Sequence, residues 1–160
     1  MKKLIWLLLV LVLLTGCSGN KIKVNKDILE ESLNEVMNEA KEEKGAEFLV
    51  LLEEKISCKL LSFEEIEDGS VEGKVQVKAP DFYSILKEFE KMPFTSEEDI
   101  NALMMEKVEQ ADMVEKEVTL TFVYEEESGW KPLLTDTFVD AYYGGFLTYR
   151  SEYLNSLEVE

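Results

Sequence analysis

The sequence has no histidine, two cysteines and three prolines, and its basic residues number half its acidic ones, 17 against 34. Without histidine there is no Ser-His-Asp or Cys-His nucleophile, no H-E-x-x-H zinc site and no His-ligated haem. The formal net charge of −17 argues against nucleic acid, because phosphates are gripped by clustered Lys and Arg. The phosphate-binding patterns G-x-x-x-x-G-K-[ST] and G-x-G-x-x-G are both missing. No Pro-rich or Ser-rich linker divides the chain, and no internal repeat is visible. What is there is apolar enough to fold: 46% of the 160 residues are hydrophobic. A chain near 150 residues buries roughly 68–70% of its unfolded surface as one domain.

The N-terminus carries the most specific signal. Met1-Lys2-Lys3 is a short positive stretch, and Leu4–Leu14 is an unbroken apolar run of eleven residues. That suits a signal-peptide core and falls short of the roughly 20 residues of a membrane-spanning helix. Leu14-Thr15-Gly16-Cys17 follows: an apolar residue, two small ones, then cysteine. This resembles the lipobox of bacterial lipoproteins. The resemblance implies that residues 1–16 are removed and that the Cys17 thiol receives a diacylglycerol, the only lipid or cofactor expected. The mature chain would keep 15 basic and 34 acidic residues, a net charge of −19. So acidic a domain is repelled by anionic headgroups, so it is expected to stand off the bilayer on a linker, residues 17–25. Cys58 is then the lone remaining cysteine and reads as a small, buried hydrophobe in a strand.

Residues 26–160 read as one α+β domain. Leu29, Leu33, Val36, Met37 and Ala40 share a helical face over 27–44, with Asn25 or Asp27 as cap and Gly45 as its end. Phe48–Leu52 is an apolar run of five that fits a second helical segment or a strand, and the flanking Glu47, Glu53 and Glu54 favour the helix. Residues 55–66 and 70–79 alternate with period two around an Asp68-Gly69 turn, which predicts a hairpin with one buried face. Pro80-Asp81 starts a short helix that Pro93 stops, and Ser96 starts another with an acidic first turn, running to about Ala111. Residues 115–125 and 130–134 form a second hairpin about an acidic turn. Thr135-Asp136 caps a last helix, 137–157, with Gly144-Gly145 inside it as a kink or a point of close backbone approach. The expected architecture is an antiparallel sheet of about four strands in two hairpins, packed by helices.

Three short pieces carry a second resemblance: Val75-Gln-Val-Lys-Ala-Pro-Asp81, Gly129-Trp130-Lys131 and Tyr143-Gly144-Gly145-Phe146. With the element order they resemble small Gram-positive lipoproteins having a cystatin-like roll, similar to the nuclear transport factor 2 and ketosteroid isomerase superfamily. The resemblance implies a curved sheet and a conical helix–sheet pocket. Phe82, Tyr83, Trp130, Tyr142, Tyr143, Phe146 and Tyr149 are the aromatics that could line it, with Asp140 as the one carboxylate to act as a base.

The bland reading of these rings is core packing, and that of the many acidic pairs is solvated faces, caps and turns. Glu67-Asp68-Gly69 and Glu125-Glu126-Glu127 lack calcium-loop spacing. No catalytic residue and no metal site is therefore assigned. Three functions remain in view. The first is a non-enzymatic binding or interaction module, lipid-anchored on the extracytoplasmic face of the cell membrane. The second is a small-molecule binder or simple acid/base enzyme using the roll pocket. The third is a structural subunit of an envelope complex. The expected partners are the membrane, through the anchor, and an envelope protein or small ligand, with no nucleic acid.

Overall fold

Helix starts in this chain are written in capping side chains. Asn25 Oδ1 accepts from the Ile28 N–H (2.9 Å), Asp81 Oδ1 from Ser84 (3.1 Å), Ser96 Oγ from Asp99 (3.1 Å) and Thr135 Oγ1 from Phe138 (3.2 Å). The computed structural model describes residues 22–41, 46–66, 69–93 and 96–157; Cys17 and the residues before it, Gly45, Glu67 and Asp68 lie outside them. The described order is α1 (Lys26–Lys41), α2 (Glu47–Lys55), β1 (Ser57–Glu65), β2 (Val71–Pro80), α3 (Phe82–Phe89), α4 (Glu97–Gln110), β3 (Met113–Glu125), β4 (Gly129–Leu133), α5 (Asp136–Tyr142) and α6 (Phe146–Leu157). This is the α+β class, with one antiparallel sheet in the order β1-β2-β3-β4.

Period-two patterning decides which face of the sheet is covered. Val71, Val75 and Val77 of β2 and Leu120 and Phe122 of β3 are almost wholly buried, while Glu72, Lys74 and Lys78 between them are exposed. Val75 pairs with Leu60 on one side and Val118 on the other, so the apolar stripe runs across strands. A bulge at Leu61 shifts the register of β1, leaving Leu61–Ile66 exposed at the sheet edge. Helix α1 packs against both edge strands, β1 and β4, and α5 covers β2 and β3. Leu29 and Leu33 of α1 and Phe138 of α5 complete the core. Among the described residues, no helix-packing stripe lies on the other face of the sheet. That face presents Lys59, Lys74 and Lys78 among Glu64, Glu72, Glu115 and Glu117.

The two ends of the sheet differ. At one end lie the turns 66–70 and 126–128, close together because Val71 pairs with Phe122 and Glu125 with Gly129. At the other, Ser57, Pro80 and Met113 connect to α2, α3 and α4. There α2 packs on α4, and α3 on α4 and α6.

The expected single C-terminal helix is two helices. Gly144 and Gly145 take left-handed φ values of +55° and +91°, which an α-helix does not contain. The chain turns there because α3 presses on it: the Tyr83 N–H donates to the Gly144 carbonyl at 2.8 Å. Both features anticipated for this dipeptide, the bend and the close backbone approach, are present together.

The domain takes hold of the chain before α1 begins. Val24 packs against the core, and the Trp130 indole N–H donates to the Lys23 carbonyl (3.4 Å). The buried Ser32 hydroxyl of α1 donates to the Trp130 carbonyl at 2.5 Å. Trp130 thus joins the N-terminal segment, α1 and β4.

Candidate functional site

The joint between α5 and α6 is built around Asp140. One of its oxygens accepts from the Thr148 N–H (2.9 Å); the other accepts from the Thr148 hydroxyl (2.9 Å) and faces the Lys116 ammonium (3.3 Å). Asp140 therefore caps the start of α6 from across the glycine turn. Burial raises its pKa, but the Thr148 donors and Lys116 outweigh this and hold it below the ordinary 3.8. A general base needs the opposite shift. Folding favours the ionised form, so this contribution to stability is full at neutral pH and is lost as pH falls through and below about 4. Asp140→Asn should cost about 1 kcal/mol at pH 7 and flatten the acid limb of the stability profile. Urea titrations at pH 7 and pH 3 measure this; an equal cost at both pH values would contradict it.

Beside the joint, α5 and α6 enclose an open groove of about 740 Å³, lined by Asp136, Asp140, Leu147, Arg150, Ser151 and Leu154 among others. A second cluster joins α3 to α6. The Tyr83 hydroxyl donates to Glu152 at 2.7 Å. The Lys87 ammonium lies 3.3 Å from Glu90 and 3.4 Å from Glu152, and 5.8 and 5.3 Å from the ring centres of Tyr83 and Tyr149. The hydrogen bond to Glu152 raises the Tyr83 pKa, and the same bond with Lys87 lowers that of Glu152. This is the geometry of a cage for an ammonium group, already filled by a lysine of the chain itself. Its chemistry is to hold α6 on α3.

The other expected pocket residues are distributed through the packing. Phe82 is buried and lies between Phe48 (6.2 Å, stacked) and the partly exposed Phe146 (6.4 Å, tilted). Trp130 lies apart from this group, edge-on to Tyr124 at 5.7 Å. Tyr142 stacks on Phe138 (6.0 Å) and meets Tyr143 edge-on (5.0 Å). Tyr143 reaches Glu53 of α2 at 3.3 Å. The structure thus brings Phe82 to Phe146, Tyr142 to Tyr143, and Tyr83 to the α6 start, but does not gather all seven about one space. The Tyr142 hydroxyl is buried without a hydrogen-bond partner among the described residues, and burial pushes its pKa upward. An orphan hydroxyl of this kind costs about 1–3 kcal/mol.

Lys87, Glu90 and Glu152 were not foreseen. The last two are ordinary members of a large acidic population, and only the packing of α3 on α6 distinguishes them. No group of three or more His, Cys, Asp or Glu residues arranged to hold a metal appears among the described residues. None of the described helices is long and apolar enough to cross a membrane. No protein-family model, curated protein or solved structure matches the chain.

Proposed function

We propose that the protein is a lipid-anchored lipoprotein of the extracytoplasmic membrane face, whose α+β domain is a non-enzymatic binding or interaction module. The observation that carries this reading is Leu14-Thr15-Gly16-Cys17 directly after a charged start and an eleven-residue apolar run. Two acyl chains at about 0.8 kcal/mol per buried CH₂ make a stable anchor where one does not. The described fold is compatible with the reading, because Trp130 already holds the chain at Lys23, six residues after Cys17. A helix held across a four-stranded antiparallel sheet is also the arrangement of the cystatin-like roll. The module rather than the enzyme is favoured because Asp140 spends both oxygens on Thr148 and Lys116, and most of the expected pocket aromatics pack against one another.

Cys17→Ala tests the anchor. In cells fed labelled fatty acid, the variant should lose the label and either leave the membrane fraction or accumulate unprocessed. Position 17 precedes the packed domain, so folding is not at stake. A variant that keeps the lipid label refutes the assignment.

A further inference from the structure

We propose that the end of the sheet carrying the two hairpin turns is the membrane-facing surface of the domain, and that its partner is the phospholipid bilayer holding Cys17. The inference rests on the lipoprotein reading and adds an orientation to it.

The argument is one of reach. Trp130 fixes the chain at Lys23 through its indole N–H, and Val24 is already packed. Only residues 18–22 separate that clamp from Cys17. Fully extended, such a tether spans about 20 Å. As a flexible chain its typical span is roughly 13 Å. The sheet is longer than either. Trp130 pairs with Tyr124, and from Tyr124 to Met113 strand β3 rises about 36 Å. The clamp sits two residues from the β3–β4 turn, so the tether leaves the domain at the hairpin-turn end. With the opposite end, bearing α2, α3 and α4, set down on the lipid and the sheet upright, the clamp would stand about 36 Å off, beyond the reach of the tether.

The chemistry of that end is mixed. Lys21, Lys23 and Lys26 follow the anchor in sequence and are drawn to anionic headgroups. Glu125, Glu126 and Glu127 form the exposed tip beside them and are repelled. The tether therefore holds this end close against the repulsion of its acidic tip. The linker expected at residues 17–25 ends before Lys23, because Lys23 and Val24 belong to the packed domain. The α3–α6 cage and the start of the α5–α6 groove then lie at the far end, presented away from the lipid.

Trp130 supplies the test, because Trp6 is removed with the signal and leaves it the sole tryptophan. The lipidated mature protein would be placed in phosphatidylcholine–phosphatidylglycerol vesicles containing a dansyl-headgroup lipid. Energy transfer from Trp130 should be efficient. Inserting about twelve Gly/Ser residues between Gly19 and Asn20, outside the packed domain, should reduce it threefold or more. A Tyr83→Trp variant keeps the Trp130 clamp and adds a second donor at the opposite end, so its mean transfer efficiency should fall to about half that of the native protein. Flotation of the same vesicles separates the two ideas. Protein that floats, yet transfers equally with the insertion or in the Tyr83→Trp variant, overturns the orientation alone. Protein that does not float overturns the anchor and the orientation with it.

Discussion

Gly144→Ala is expected to destabilise the protein by about 3–5 kcal/mol, lowering Tm by on the order of 10 °C or more. A methyl group at that position would lie 1.9 Å from the Pro80 carbonyl oxygen and 2.8 Å from the Phe82 nitrogen. Both obstacles are backbone, at the junction of β2 and α3, and cannot swing aside as a side chain can. The φ of +55° adds roughly 1 kcal/mol for any L-residue with a Cβ. Gly69→Ala is the control. Its φ is also left-handed, at +86°, but nothing lies within 4 Å of the added methyl. It should lose only about 1 kcal/mol, the conformational part alone. Thermal melts of the two variants side by side measure the difference. Equal losses would mean that the α5–α6 joint does not press on α3.

Phe122→Ala should cost about 3–5 kcal/mol, because the ring is fully buried under the covered face near the hairpin-turn end of the sheet. Its neighbour makes this more than a cavity experiment. Gly73 has no side chain because there is no room for one: an added methyl would lie 2.8 Å from the Phe122 ring and 2.7 Å from Leu60. Gly73→Ala alone should therefore cost about 1–3 kcal/mol through overpacking. In the double variant the methyl gains the vacated ring space, and Leu60 can lean into the same gap. The combined loss should fall short of the sum by about 1 kcal/mol or more. Urea unfolding of the four proteins closes the cycle. Strict additivity would show that Gly73 and Phe122 do not share this space.

Much of the fold was legible because its signals are local. Asn25, Asp81, Ser96 and Thr135 announce helix starts from within one turn, and the alternation of 71–78 and 118–122 needs only neighbouring residues. The bulge at Leu61 was hidden, since an extra residue in a strand looks like one more apolar position until its partner strand is in place. The division of the last helix was half legible. Gly144-Gly145 marked an anomaly, but the cause lies in Pro80 and Tyr83, about sixty residues upstream. The candidate site was least legible. Asp140 stood out as a carboxylate near aromatics, yet Thr148 and Lys116 decide its state, and neither can be inferred from sequence spacing. Lys87 and Glu152 meet only because two helices pack. Side chains whose meaning depends on long-range partners leave no periodic trace.

The uncovered face of the sheet has a consequence for crowding. By register it holds Lys59, Lys74, Lys78 and Lys131 against Glu64, Glu72, Glu115, Glu117 and Glu125, whereas α1 alone carries Asp27, Glu30, Glu31, Glu35 and Glu39 against Lys26 and Lys41. The molecule is thus an electric dipole as well as an anion, nearly neutral on one flank and strongly negative on the others. Under the proposed anchoring and orientation, copies in one leaflet would move in two dimensions and meet side to side. Most such encounters bring like-charged flanks together within the roughly 8 Å over which physiological salt leaves charges unscreened. The leaflet would then hold these proteins as a spaced array rather than as clusters, and the least repulsive encounter is sheet against sheet.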